Sequence, residues 1–248
     1  MTTQGQQQDR GRHAGDRGGG GHGGDGGQAR WAERAGHAGH AGHAGQGHAG
    51  HGGRGGRGHH PADAEGIARL LGEARRAQLP PEATLRAAGV AHGQTVVDLG
   101  CGPGYFTLPA AELVGPQGKV YGVDVQPEMV EACRQRAAEA GARQVEVLRS
   151  GETDVPLPDG IADLVLVSLV LHEARDRAAF LREARRLLKP GGEVAVIEFR
   201  KEAETPGPPK EVRLSEADVA AVAEAAGLRL REQRGLNDLH VLFRLVAT

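Results

Sequence analysis

Apolar and polar positions divide the chain in two. From Met1 to about His60 there is no apolar periodicity, and the stretch is rich in glycine, histidine and glutamine. Such a segment cannot bury enough apolar surface to offset the entropy of ordering it, so residues 1–60 are expected to be a disordered tail. Residues 61–248 read as one folded domain. Between Glu65 and Leu79, Ile67, Leu70, Leu71 and Ala74 recur at helical spacing. Pro80-Pro81 stops that helix and starts another, which ends at Gly89. Strands are then expected at 95–99, 120–123, 145–148, 164–168 and 194–199, with helices at about 106–114, 127–140 and 177–188. Pro127 opens the second of these helices and Gly141 closes it. Asp176 is a good N-cap for the third, which turns Phe180, Leu181, Ala184, Leu187 and Leu188 inward and stops at Pro190-Gly191-Gly192. A further helix after Ser215 leads to two last strands, 229–232 and 240–246, read as a hairpin at a sheet edge. Strands apolar on both faces, alternating with helices, imply a mostly parallel sheet covered on both sides: an α/β, Rossmann-like fold.

Composition narrows the function. The first 60 of the 248 residues hold 22 of the 40 glycines and 9 of the 12 histidines. The overall charge is −2, with a net positive tail and a mildly acidic remainder. That remainder lacks the basic clustering of a nucleic-acid surface. At 3% aromatic residues there is no platform for stacking bases either. The two cysteines, Cys101 and Cys133, are not spaced as CxxC and form no disulfide framework or cysteine-based zinc site. The longest apolar run, Ile161 to Leu171, contains Asp163 and Ser168 and is too short to span a bilayer. The N-terminus has no apolar core of a signal peptide. These features lead to an expectation of a soluble, cytoplasmic protein without membrane or nucleic-acid partners. The tail keeps a second class open, since His37, His40, His43, His48 and His51 could hold nickel, zinc or copper. The period of H-A-G-H-A-G-H-A-G does not mark collagen, because prolines are absent from the tail.

The chemistry concentrates at V-V-D-L-G-C-G-P-G-Y-F-T, Val96 to Thr107. In an open parallel sheet, ligands lie beyond the carboxyl ends of strands where the connection order switches, and the first strand ends here. Glycines let backbone approach a ligand with no Cβ in the way. The spacing is G-x-G-x-G, not the dinucleotide G-x-G-x-x-G, and Tyr105 occupies the sixth position. Asp124 ends the next strand, where a carboxylate can accept from both hydroxyls of a ribose or cap the helix ahead of Pro127. Asp98 adds a second acid near the turn. Acids here repel phosphates and suit an ammonium group, so a ribose-bearing ligand with an amino-acid end fits better than NAD.

The stretches "VVDLGCGPGYFT", "VYGVDVQPEMVEACRQRA", "LPDGIADLVLVSLVLHE" and "LLKPGGEVAVIEF" resemble the successive motifs of class I S-adenosylmethionine-dependent methyltransferases. The resemblance runs from about Pro80 to the end. It is nearest to the small-molecule group that includes the ubiquinone/menaquinone C-methyltransferases and the arsenite methyltransferases. It implies a seven-stranded sheet whose last-but-one strand lies at the edge, with the final strand antiparallel between it and the fifth. It implies S-adenosylmethionine as cofactor, with Gly100, Cys101, Gly102 and Gly104 around its methionine part and Asp98 reaching its amine. Asp124 would hold the ribose hydroxyls, with Val125 and Gln126 beside the adenine. Relatives often carry Asp-Ala ahead of "LPFPDG"; here Glu152 stands in the corresponding stretch and takes that aspartate's place. The paired cysteines of an arsenite methyltransferase are missing, and small buried thiols are expected at Cys101 and Cys133.

Transfer from a sulfonium is largely a matter of positioning, and a base is needed only where the acceptor must lose a proton. His172, after the fourth strand, is the candidate for that base; the alternative is a cap on the strand end. His240 is expected to be structural or to line the acceptor site. The helix over 65–79 is expected to lie over the cofactor as a partial lid. The acceptor is a small molecule whose identity cannot be read from these residues. A cofactor-binding domain without transfer activity is the third class.

Overall fold

The computed structural model describes residues 63–204 and 207–248. The Gly/His-rich segment, with the disorder and the histidine metal site expected of it, lies outside the described residues. The chain enters through α1 (Ala64–Leu71), whose N-cap Asp63 accepts from the Gly66 amide at 2.7 Å. The single helix expected over 65–79 is in fact two. Gly72 takes an extended backbone (φ −69°, ψ 164°) and starts α2 (Glu73–Gln78) in a new direction. Glycine's low helix propensity makes it the natural point to break. Pro81 opens α3 (Pro81–Ala88), and Gly89 closes it at φ 98°.

The alternation that follows is β1 (Thr95–Leu99), α4 (Thr107–Val114), β2 (Lys119–Asp124), α5 (Pro127–Glu139), β3 (Val145–Arg149), β4 (Ala162–Ser168), α6 (Arg177–Leu187) and β5 (Leu188–Phe199). The terminal elements are α7 (Glu216–Ala225), β6 (Leu228–Gly235) and β7 (His240–Ala247). Helix α6 stops earlier than Pro190, because Leu188 is already extended and pairs with Ala162 of β4. As a result β5 begins six residues before position 194, across a register shift between Ala162 and Leu164.

The seven strands lie in the order β3-β2-β1-β4-β5-β7-β6. All pairs are parallel except those of β7, which is antiparallel to both β5 and β6. This is the arrangement the resemblance implied, with β6 at the edge. The two faces of the sheet carry separate cores. Val97, Leu99, Val165 and Val167 pack under α6 and α7 with Phe180, Leu181 and Val219. Val96, Leu164, Leu166, Ile197 and Leu242 pack under α3 and α4 with Leu79, Leu85 and Val114. Strand alternation therefore turns Asp98, Ser168, Phe199 and His240 toward the second face, the side of the entering helices. The order reverses between β1 and β4, and a cleft opens beyond the strand ends at that point. Among the described residues, no helix is long and apolar enough to cross a membrane.

Candidate functional site

A cavity of about 680 Å³ fills this cleft. That lies within the ~300–1,000 Å³ typical of small-molecule sites. The glycine turn forms its floor. Gly100 and Cys101 both donate from their amides to the Val123 carbonyl, at 2.9 and 3.0 Å, holding the turn against β2. Gly102 sits at φ 53°, and a Cβ there would meet nothing within 4 Å on the cavity side. Gly104 faces the other way. It is absent from the cavity lining, and a Cβ on it would lie 2.7 Å from Cys133 Sγ and 2.9 Å from Leu108. Its role is to seat the turn on α5, not to line the methionine part as the resemblance implied. Arg136 of α5 fastens the same turn by donating to the Pro103 carbonyl at 2.6 Å. Both cysteines are buried free thiols, and the hydrogen bond that the Cys101 thiol donates to Cys133, followed by burial, pushes the Cys101 thiol well up.

Asp98 and Asp124 flank the turn. Asp98 is 2% exposed and accepts from the Thr107 hydroxyl at 2.6 Å. Burial pushes its carboxyl up to about 6, against the pull of Thr107 and Arg75. Asp124 accepts from the Gly102 amide on one oxygen and from the Gln126 amide on the other, each at 2.9 Å. A carboxylate offers about four acceptor sites, and these two backbone donors fix the direction in which the group faces. Beside it, Val125 is the one large apolar residue left exposed among the described residues, at 38%, and Gln126 follows it along the cavity wall. Glu152 reaches the same wall but is partly engaged, accepting from the Arg175 amide at 2.6 Å.

The opposite half lies over β4, β5 and β7. His172 is buried here, and its Nδ1 is 2.8 Å from Glu198 Oε2, while Glu198 Oε1 accepts from the His172 amide at 3.1 Å. Facing a carboxylate, Nδ1 carries the hydrogen, which leaves Nε2 as the acceptor in the neutral ring. Burial opposes charge on His172, but the Glu198 hydrogen bond and charge outweigh it and raise the imidazole above its ordinary value. Glu198 escaped the sequence reading; its only signal is an acid at the end of an otherwise apolar strand. Phe199 stands between the two imidazoles, 6.1 Å from His172 and 5.0 Å from His240. His240 lines the cavity, and burial with nearby Arg75 pushes it down to about 4, so it is neutral at physiological pH. Helices α1 and α2 border the cavity through Leu70, Ala74, Arg75 and Gln78. Leu169 just after β4 has φ 56°, the only left-handed non-glycine among the described residues, and it too lines the cavity. Strain of this kind gathers at ligand sites.

This sheet order, with a ligand-sized cleft over a glycine turn at its switch point, is the arrangement of the class I S-adenosylmethionine-dependent methyltransferase fold. The chain belongs to the methyltransferase domain family, whose pattern it matches over residues 91–237. It is 32% identical over 117 residues to a demethylmenaquinone methyltransferase of Geobacillus sp., which covers 47% of this chain and 50% of that protein. The chain thus spans about half the length of the curated relatives it matches. It also resembles the crystal structure of a SAM-dependent methyltransferase from Aquifex aeolicus, at 33% identity and TM-score 0.71, over 75% of this chain and 99% of that one. A further likeness, of fold alone at 22% identity and TM-score 0.61, covers 75% of this chain and 58% of the other. That neighbour is an O-methyltransferase of neocarzinostatin biosynthesis, in complex with S-adenosyl-L-homocysteine and 1,4-dihydroxy-2-naphthoic acid.

Proposed function

We propose that the protein methylates a hydroxyl-bearing aromatic small molecule. The observation that carries this reading is the His172–Glu198 pair, set across the cavity from the glycine turn and beside an apolar, aromatic wall. The cofactor's fit rests on the open face of Gly102 and on the chemistry of the two acids. Asp98 takes the ammonium, Asp124 the ribose hydroxyls, Val125 and Gln126 the adenine face, and Glu152 the adenine amino group. Bound there, the cofactor supplies an electrophilic sulfonium methyl group. The protein's own residues do the rest. The lid and the aromatic wall exclude water and fix the acceptor ring in line with the methyl–sulfur bond. His172 Nε2 receives the acceptor's hydroxyl proton as the new bond forms, and Glu198 steadies the resulting imidazolium. The Geobacillus relative is named for demethylmenaquinone, a naphthoquinone that gains such a proton when reduced to its quinol, and the fold neighbour is in complex with 1,4-dihydroxy-2-naphthoic acid, whose hydroxyls carry one.

The test supplies trideuteromethyl-labelled cofactor with 1,4-dihydroxynaphthalene, 1,4-dihydroxy-2-naphthoic acid and a panel of amines. Labelled naphthalene product, formed in step with S-adenosylhomocysteine, is expected. His172→Ala should slow turnover by roughly 10²-fold or more while cofactor affinity holds. Transfer to amines alone would overturn the acceptor class, and cofactor binding without transfer to any acceptor would favour a binding domain.

A further inference from the structure

Two buried side-chain polar atoms among the described residues have no hydrogen-bond partner: Arg75 Nε and Ser168 Oγ. Both residues line the same cavity. Buried polar groups are almost always satisfied, so a pair of orphans facing one ligand site points to what the ligand brings. Ser168 is at the end of β4 on the lid-side face of the sheet, in line with Leu164 and Leu166. Arg75 reaches that face from above, on α2.

Arg75 is held for the task. Its guanidinium lies 4.5 Å from the centre of the Tyr105 ring and 6.0 Å from that of Phe106. The platform is itself fixed, since the Tyr105 hydroxyl donates to the Leu79 carbonyl at 2.6 Å and the Leu79 amide donates back to the Arg75 carbonyl at 2.8 Å. Three other arginines, Arg69, Arg149 and Arg175, touch the cavity, but all three are exposed. Arg75 alone brings a positive charge in from the solvent, and burial lowers its pKa accordingly. It interacts electrostatically with both Asp98 on β1 and His240 on β7, so it stands where the two halves of the cleft meet.

We infer that Arg75 anchors a carboxylate on the acceptor and that Ser168 bonds a second acceptor oxygen, which makes the substrate a hydroxylated aromatic acid. A planar guanidinium stacked on an aromatic ring suits a carboxylate, which it can grip through two parallel N–H donors. Neutral His240 beside it adds a polar contact without adding charge. The inference rests on the methyltransferase reading, because it takes the glycine-turn half of the cavity to be filled by cofactor. The competing source of a carboxylate is the methionine end of the cofactor itself.

The deciding experiment is calorimetry on the full chain. S-adenosylhomocysteine is titrated first. Then 1,4-dihydroxy-2-naphthoic acid and its carboxylate-free counterpart, 1,4-dihydroxynaphthalene, are titrated into the saturated protein under reducing conditions. The acid should bind about tenfold or more tightly than the diol. Arg75→Gln should erase that preference while changing S-adenosylhomocysteine affinity by no more than about twofold, and Arg75→Lys should keep part of it, as a point charge without the fork. Ser168→Ala should weaken both probes alike. Circular dichroism and the thermal midpoint confirm that each variant is folded. Equal or undetectable binding of the two probes to the wild type overturns the inference. So does a tenfold loss of S-adenosylhomocysteine affinity in Arg75→Gln, which would assign the guanidinium to the cofactor. Failure of the wild type to bind S-adenosylhomocysteine at all would instead remove the reading underneath.

Discussion

Replacing Asp98 with asparagine should make the ligand-free protein more stable and the cofactor complex weaker. The carboxyl is 2% exposed, accepts a hydrogen bond from Thr107, and has its pKa raised from 3.8 to about 6. A pKa raised in the folded state means that stability from this group is complete below the unfolded value of about 3.8. It is then lost as pH rises through about 6, where the buried acid is forced to ionise. At about 1.4 kcal/mol per pH unit, the full cost of ionisation approaches about 3 kcal/mol. Asparagine keeps the shape and the oxygen that Thr107 needs but carries no charge. Allowing for its amide hydrogens, which also want partners, Asp98→Asn should gain about 2 kcal/mol at pH 7.5 and nothing at pH 4. For a domain of this size that is a rise of about 4–8 °C in thermal midpoint. The same change removes a charged hydrogen bond to the cofactor's ammonium, which should weaken S-adenosylhomocysteine by roughly 10–100-fold. Urea unfolding at a series of pH values, with calorimetry alongside, reads both effects. A stability gain that is flat with pH would show that Asp98 does not ionise in burial, and unchanged affinity would show that it does not meet the ammonium.

Gly102→Val should abolish cofactor binding by calorimetry while the protein stays folded, since its side chain would project into open cavity space from a backbone at φ 53°. Glu198→Gln should shift the acid limb of the rate profile to lower pH. The neutral, proton-accepting form of His172 disappears as pH falls through its raised pKa, and without the Glu198 charge burial and Arg177 lower that pKa against the pull of Glu173 alone. An unmoved acid limb would mean that another group limits the rate. Arg186→Met should cost about 2 kcal/mol in urea unfolding, because Arg186 donates to the Val155 and Leu157 carbonyls at 3.0 and 2.9 Å and pairs with Glu183 at 2.7 Å. That network ties the loop before β4 to α6; a loss under about 0.5 kcal/mol would refute it.

What the sequence showed and what it hid follow from the range over which residues interact. Strands β1 to β4 were legible because short apolar runs and glycine or proline boundaries are local signals. Asp98 and Asp124 were legible because strand ends beside a glycine turn place them without any knowledge of distant partners. Glu198 was not, since its meaning comes from an imidazole 26 residues earlier in the chain, and within "VAVIEF" it reads only as a polar interruption. Arg75 was hidden for a different reason. The apolar stripe of Ile67, Leu70, Leu71 and Ala74 assigns an inward face to one continuous helix and leaves Arg75 outside it. The break at Gly72 resets the direction of the following turn and sends Arg75 over Tyr105. Ser168 was counted as part of an apolar run, which is true of its position and says nothing of its unpaired hydroxyl. The glycine-turn half of this cleft is built from local signals and so can be read in one dimension. The half proposed for the acceptor is assembled from α2, β4, β5 and β7, far apart in sequence, and takes shape only once the sheet has brought them together.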